Sequence, residues 1–188
     1  QPRANEINHA YIERLLQWSA DAATAAKADA VEGVLHYNFD FVAENMNRRY
    51  SFPGGEHRFI PLAMALRDRS WEYLDQELGI LAFKDPEAEN KFLSVITHYT
   101  AHPLVVGNAS YLVTADFPGV IRRTIEESIG GAQALHLTGA AGDHHPRLPC
   151  SGFAEAERVG RTLGSIANAR LFDAVKARDT TLRHRWVE

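Results

Sequence analysis

A buried strand, a helix and a second strand, in that order, restrict the fold of this chain more than any other feature. The run FLSVI, within residues 92–101, is almost wholly apolar, as in a strand that is covered on both faces. A helix is predicted to begin at Asp116 and to stop at Gly130-Gly131, and a strand at 133–138 follows. Such a crossover places its two strands parallel in one sheet. The sequence therefore predicts an α/β fold with a mixed, partly parallel sheet, a βαβ unit and flanking helices.

Local patterns predict the remaining elements. Apolar residues at three- and four-residue steps indicate an amphipathic helix from about Asn8 to Ala28, and a last helix is predicted from about 152 to 176. Residues 44–76 lack a clear period and are predicted as a long irregular excursion. Two strands are expected around the turn Asp85-Pro86-Glu87.

The segment VEGVLHYNFDFV alternates apolar and polar residues, as a half-buried strand does. Its polar face carries His36, Asn38 and Asp40. Its apolar face carries Val31, Leu35, Tyr37, Phe39 and Phe41.

Composition limits the classes of function. The chain has 188 residues, of which 45% are hydrophobic and 23% charged, with a net charge of −4, and it suits a single domain over residues 1–188. The chain has no excess of basic residues, so its composition does not favour nucleic-acid binding. No apolar run approaches the roughly 20 residues of a membrane-spanning helix. Cys150 is the one cysteine, which excludes an internal disulfide. The sequence contains neither a Gly-x-Ser-x-Gly nucleophile motif nor a phosphate-binding loop.

Polar residues follow both of the predicted parallel strands. THYTAHP ends the first and TGAAGDHHP ends the second, and ligands of open α/β sheets bind outside the carboxyl ends of the strands. The small residues 139–142 would let the backbone approach a ligand closely. Along an extended strand His98 and His102 would lie about 13 Å apart, too far for both to bind one zinc at about 2.0–2.1 Å. His102, at the exit of the strand, is the better candidate metal ligand. A histidine that only forms a hydrogen bond at a strand end is the alternative.

Three further polar features each allow two interpretations. Asp116 suits a helix N-cap, with a role in the site as the alternative. The run Asp143-His144-His145 is either a ligand or catalytic cluster or a polar turn that Pro146 closes. Asn47-Arg48-Arg49 either binds an anion through a guanidinium fork or forms a solvated loop. Residue chemistry alone therefore predicts an α/β domain with a polar, candidate metal-binding edge.

Five short motifs in a fixed order, NRR, YTAHP, TADFPG, LTGAAGDHHP and RVGRTLGSIA, together resemble the N-terminal domain of the neutral/alkaline non-lysosomal ceramidases. The resemblance runs over most of the chain. Members of this family are zinc-dependent amidohydrolases that cleave the N-acyl bond of ceramide, so it implies a zinc cofactor and a small-molecule amide, ester or lipid-like substrate. It also implies a zinc ligand at His102 and an active-site arginine at Arg48. Asp143 is the second candidate catalytic residue, and the candidate substrate-binding residues are Asn47, Gly139, Ala140 and Gly142.

The resemblance also implies that this chain is an interior part of a larger catalytic domain. The family's His-x-His-Ser-Gly zinc motif would precede the first helix, and its glutamate and tyrosine ligands would follow Glu188. A serine of the family's active site corresponds here to Gly139, which favours another amide or ester as much as ceramide. The chain is therefore predicted to be part of a zinc-dependent hydrolase that uses metal-activated water. The rest of its polypeptide or a partner chain would complete the site. The alternative is a non-catalytic α/β binding module or subunit that has lost the complete metal site.

Overall fold

The computed structural model describes residues 8–52, 54–59, 74–107, 110–181 and 183. The helices within this part of the chain are α1 (His9–Ala28), α2 (Asp116–Ile129) and α3 (Phe153–Leu171). The strands are β1 (Val34–Phe41), β2 (Asn45–Asn47), β3 (Arg49–Ser51), β4 (His57–Phe59), β5 (Glu77–Asp85), β6 (Ala88–Tyr99), β7 (Gln133–Thr138), β8 (His144–Pro146) and β9 (Val175–Lys176).

The central sheet is mixed, which confirms the predicted fold class. Its strand order is β7-β6-β5-β1-β9. Strands β6 and β7 run parallel, with Tyr99 opposite Thr138, and α2 connects them. The predicted βαβ unit is therefore present. Strands β5 and β6 form the antiparallel hairpin that the turn at Asp85-Pro86-Glu87 predicts.

Helices α2 and α3 cover one face of this sheet. Their apolar stripes meet the inward residues of the strands in one core, and burying each large apolar side chain contributes about 1.5–3 kcal/mol. The fully buried residues of this core include Leu78, Ile80, Val95, Tyr99, Phe117, Ile121, Ile125 and Leu163. The two helices cross closely because α3 has glycine at 160 and 164, where any side chain would meet α2.

Strand β1 alternates as predicted, but its polar face is the one that meets the helices. Asn38 Nδ2 donates to the Arg170 carbonyl at 2.9 Å, and Arg170 Nε donates to the Asp40 carboxylate at 2.8 Å. The aromatic face lies on the other side of the sheet, where Tyr37, Phe39 and Phe41 are 47%, 50% and 68% exposed. The inward face is polar because α3 presents its carboxyl end to β1, and this end offers hydrogen-bond partners.

The last helix is shorter than predicted. It ends at Leu171, and residues 172–173 form a turn. The Asp173 carboxylate accepts a hydrogen bond from Asn38 Nδ2 at 2.7 Å, which ties this turn to β1. Val175–Lys176 then pairs with β1 as the edge strand β9, and Ala177 N donates to the Leu35 carbonyl. Pairing with an open strand edge therefore replaces the final helical turn that the sequence predicts.

The excursion predicted at 44–76 is less irregular than expected. It contains the short strand β2, which pairs with β8, and the small hairpin of β3 and β4. These strands are too short for an apolar period to identify them, and β2 finds its partner about 100 residues away. Residues 53 and 60–73 of this segment lie outside the described residues.

Helix α1 begins where the sequence predicts. The Asn8 side chain accepts a hydrogen bond from Tyr11 N at 3.0 Å and so caps the first turn. The described residues up to 32 form one compact unit, and those from 33 onward form another. None of the residues His9–Ala28 is buried. In the part of the chain that the structure describes, no helix combines the length and the apolarity that crossing a membrane requires.

Helix α2 begins at Asp116 as predicted, but this residue does not act as an ordinary N-cap. Its carboxylate accepts hydrogen bonds from Phe117 N and from Val106 N, both at 2.8 Å. Its own backbone is left-handed, with φ of 52°. Asp116 therefore joins the loop after β6 to the start of the helix, which is a structural contact.

Candidate functional site

The carboxyl ends of β6 and β7 meet at one edge of the sheet. Gly139 N donates to the Tyr99 carbonyl at 3.2 Å, so the segments that follow the two strands begin side by side. This contact is a direct consequence of the parallel register between Tyr99 and Thr138. The sequence motifs YTAHP and TGAAGDHHP, which follow the two parallel strands, are therefore neighbours in space.

The short ribbon of β2 and β8 brings a third segment to this edge. Asn47 lies opposite His144 in the ribbon, and Met46 lies opposite His145. Asn47 Nδ2 donates to Asp143 Oδ2 at 3.0 Å, and Arg48 N donates to the Asp143 carbonyl at 3.2 Å. Three of the predicted site residues, Asn47, Arg48 and Asp143, thus form one cluster.

His102 lies beside the same cluster. Its backbone N donates to the His144 carbonyl at 2.9 Å, and its side chain is exposed. The imidazole ring of His102 is 6.2 Å from that of His145, centroid to centroid, with 25° between the ring planes. The candidate metal ligand and the candidate catalytic residues are therefore within one site.

Asp143 is held as a carboxylate by its neighbours. Burial alone would raise the pKa of its carboxyl group. Hydrogen bonds from His144 Nδ1, at 2.8 Å, and from Asn47 outweigh that effect and lower the pKa below its usual value. His144 Nε2 accepts a hydrogen bond from Asp75 N at 3.1 Å. The ring proton is therefore on Nδ1, which donates a hydrogen bond to the Asp143 carboxylate. Both Asp143 carboxylate oxygens are therefore engaged in fixing the loop.

A polar layer below the cluster contains residues that sequence reasoning missed. Thr100 Oγ1 donates to Asp75 Oδ2 at 2.6 Å, and Asn45 Nδ2 donates to the Asp75 and Thr100 carbonyls. The Tyr99 hydroxyl donates to the Val42 carbonyl and accepts from Glu44 N. Tyr99 and Thr100 belong to the motif YTAHP, and their position at the end of a strand is a signal that the sequence contains. Asp75 had no local signal, since only long-range folding brings it there.

The small residues 139–142 separate β7 from Asp143. A Cβ atom on Gly139 would meet Thr100 Oγ1 and would lie 2.8 Å from His98 Nε2. Ala140 and Gly142 are exposed, and nothing lies within 4 Å of a Cβ atom placed on Gly142. Gly139 is therefore required by packing within the chain, whereas 140 and 142 face open space beside the cluster.

Acid should destabilise the fold through His136, which lies on β7 against Phe117. Burial, with a smaller effect of His98, lowers its pKa to about 4. The unfolded chain, with a pKa of about 6.5, then binds the proton more readily. This contribution to stability is complete above pH 6.5 and is lost as the pH falls through about 4. We expect the free energy of unfolding to fall by about 1–2 kcal/mol over this range, after allowance for the partial exposure of His136.

Urea unfolding between pH 4 and pH 7.5 measures this contribution. His136→Asn removes the titrating ring and keeps a polar group for Thr97 Oγ1, which lies 3.0 Å from His136 Nδ1. The variant should show a flatter dependence of its unfolding free energy on pH. An identical slope in the two proteins would show that His136 is not responsible.

The described residues contain no group of three or more histidine, cysteine, aspartate or glutamate side chains placed to hold a metal ion. His102 is a suitable single donor, because it is an exposed imidazole beside a second imidazole, that of His145. The described residues therefore fit part of a metal site.

Comparison with known proteins identifies the fold. No protein-family model and no curated protein matches this chain. A solved ceramidase in complex with C2 matches with a TM-score of 0.56 and 20% identity over 80% of this chain. The neutral ceramidase from Pseudomonas aeruginosa matches with a TM-score of 0.57 and 19% identity over 82% of this chain.

The match covers only part of those enzymes. The chain spans 23% of the first structure and 24% of the second. At this level of identity the likeness establishes the fold, and function has to be argued from the site. The resemblance that the sequence motifs indicate is confirmed at that level. This chain has the fold of a part of a neutral ceramidase.

Proposed function

We propose that this chain is part of a zinc-dependent hydrolase of the neutral ceramidase type that cleaves an amide (N-acyl) or ester bond of a small, lipid-like substrate. One observation carries the proposal. The carboxyl edge of β6 and β7 brings together His102, Arg48 and Asp143. Arg48 and Asp143 are about 95 residues apart in the sequence. This edge is where open α/β sheets bind their ligands.

In this proposal His102 binds the zinc ion. The chemistry that a bound zinc supplies is polarisation of the acyl carbonyl and activation of water. One imidazole is less than the three protein ligands that a catalytic zinc requires. The remaining ligands would come from the rest of a larger catalytic domain, of which residues 1–188 are an interior part, or from a partner chain.

Arg48 would hold a polar or anionic part of the substrate. Its backbone is fixed by the hydrogen bond to the Asp143 carbonyl, so the side chain starts from a defined point. Burial lowers the pKa of His145, and the positive charge of Arg48 lowers it further, so this charge acts within the site. A guanidinium presents several donors in one plane, which suits an acyl oxygen or a carboxylate product.

Asn47 and Asp143 would support this arrangement from the other side. Their mutual hydrogen bond, at 3.0 Å, joins β2 to the loop that leads into β8. Ala140 and Gly142 leave the space beside them open, so the backbone of this loop would contact the substrate. Gly139 would act by allowing the loop to leave β7 at this angle.

Replacing Arg48 by alanine tests the proposal in the complete protein. Loss of one positioned donor should lower kcat/KM for release of a fatty acid from N-acyl and O-acyl substrates by about 100-fold or more. Bound zinc should stay the same, because Arg48 is not a ligand. Arg161→Ala is the matched control, since Arg161 is an exposed arginine of α3. Equal rates for the Arg48 variant and the control would remove Arg48 from the site.

The second candidate function is a non-catalytic α/β binding module. It is favoured by the small number of candidate metal-binding side chains that the described residues place together. Such a module would bind N-acyl or ester compounds without releasing a product. Equilibrium binding and product formation, measured on the same sample of complete protein, separate the two functions. Saturable binding with no turnover, at full zinc occupancy, would establish the binding module and overturn the hydrolase.

A further inference from the structure

His145 differs from its neighbour His144 in the hydrogen bonds that its ring nitrogens form. Both ring nitrogens of His144 form hydrogen bonds, one with Asp143 and one with Asp75. His145 Nδ1 is buried and has no hydrogen-bond partner among the residues that the structure describes. A buried polar atom without a partner costs about 1–3 kcal/mol, so a bound ion or water at Nδ1 would stabilise the site.

The distance between the rings of His145 and His102 suits a shared metal ion. A ligating nitrogen lies about 2.0–2.1 Å from zinc, which places the ring centroid roughly 3.2 Å from the metal. Two such rings are then about 5 Å apart at a tetrahedral angle and at most about 6.4 Å apart. The observed separation of 6.2 Å is below the upper limit and about 1 Å longer than the tetrahedral value. The His102 side chain is exposed, so a modest rotation would close the remaining distance.

The surroundings hold the His145 ring in place. Its ring lies 5.8 Å from that of Phe59, and its strand position is opposite Met46, which is fully buried. An imidazole that is already oriented needs little rearrangement to bind a metal ion.

We propose that His145 is a second metal-binding imidazole of this site and acts as a pair with His102. This inference rests on the proposed metal site and assigns to His145 the ligand role that the run Asp143-His144-His145 leaves open in the sequence. His98, the histidine nearest to His102 along the chain, lies on β6 before the strand ends at Tyr99, and its ring lies against Gly139. The pairing of β8 with β2 supplies His145 in its place.

Titration of the 188-residue chain with Co²⁺, followed by visible absorption and by calorimetry, tests the pair. His145→Phe keeps an aromatic ring beside Phe59 and removes both nitrogens. It should weaken Co²⁺ binding at least about tenfold, the smallest loss seen even for groups that only support a ligand. His102→Ala should have a similar effect. His9→Ala, an exposed histidine of α1, is the control and should bind as the unaltered chain does.

The thermal unfolding midpoint of each variant shows that it is folded. His145→Phe should be at least as stable as the unaltered chain without metal, because it removes a buried nitrogen that has no partner. Binding lost in His102→Ala but kept in His145→Phe would overturn the pair and leave a zinc site at His102. No Co²⁺ binding by the unaltered chain at millimolar metal would also overturn it. Binding by the pair in a complete protein that hydrolyses no acyl substrate would overturn the proposed function alone.

Discussion

Replacing Gly160 by valine should lower the free energy of unfolding by about 3 kcal/mol or more. Gly160 lies where α3 crosses α2, and a Cβ atom there would meet Val120 Cβ and lie 2.7 Å from Val120 Cγ1 and 2.8 Å from the Phe117 carbonyl oxygen. A backbone carbonyl and a Cβ atom are unable to rotate away. The helices would have to separate, and the buried side chains between them would lose their contacts.

Ala169→Val is the matched control for this prediction. Ala169 is an exposed residue of the same helix, so its replacement measures only the helix propensity of valine, which is below about 1 kcal/mol. Urea unfolding of both variants gives the comparison. Similar losses in the two proteins would mean that the close crossing of α2 and α3 is not under steric control at Gly160.

Gly139→Ala should be the most damaging single change at the site. The new methyl group would displace the Thr100 hydroxyl, which donates to Asp75, or would push the loop away from β6. Either result removes a buried hydrogen bond or strains the backbone. We expect the free energy of unfolding to fall by about 2–4 kcal/mol. The proposed hydrolysis by the complete protein should fall by about 100-fold, since a shift of about 1 Å in the loop would misplace Asp143.

Gly142→Ala provides the comparison, because its Cβ atom would meet nothing within 4 Å. Its stability should stay within about 0.5 kcal/mol of the unaltered chain. A double-mutant cycle with Thr100→Ala then isolates the contact. The double variant should lose less stability than the sum of the single variants. Strict additivity would show that Thr100 is not the group that forbids a side chain at position 139.

The sequence predicts the elements whose signals are local. The apolar run of β6, the helix from Asp116 to Ile129 and the strand after it are each readable within about 15 residues, and the handedness and direction of a βαβ unit follow from chain geometry. The same reasoning correctly joins the segments after β6 and β7. The candidate site residues His102 and Asp143 can be predicted for this reason, since the carboxyl ends of parallel strands share an edge.

The tertiary structure alone decides which face of a strand is buried and which distant segments pair. Alternation in β1 is a property of the sequence, yet the buried face depends on what α3 offers to Asn38 and Asp40. The meeting of His102 with His145 likewise depends on the pairing of β2 with β8, across about 100 residues. Short-range periodicity carries no information about such contacts, because their free energy arises only when both partners are already folded.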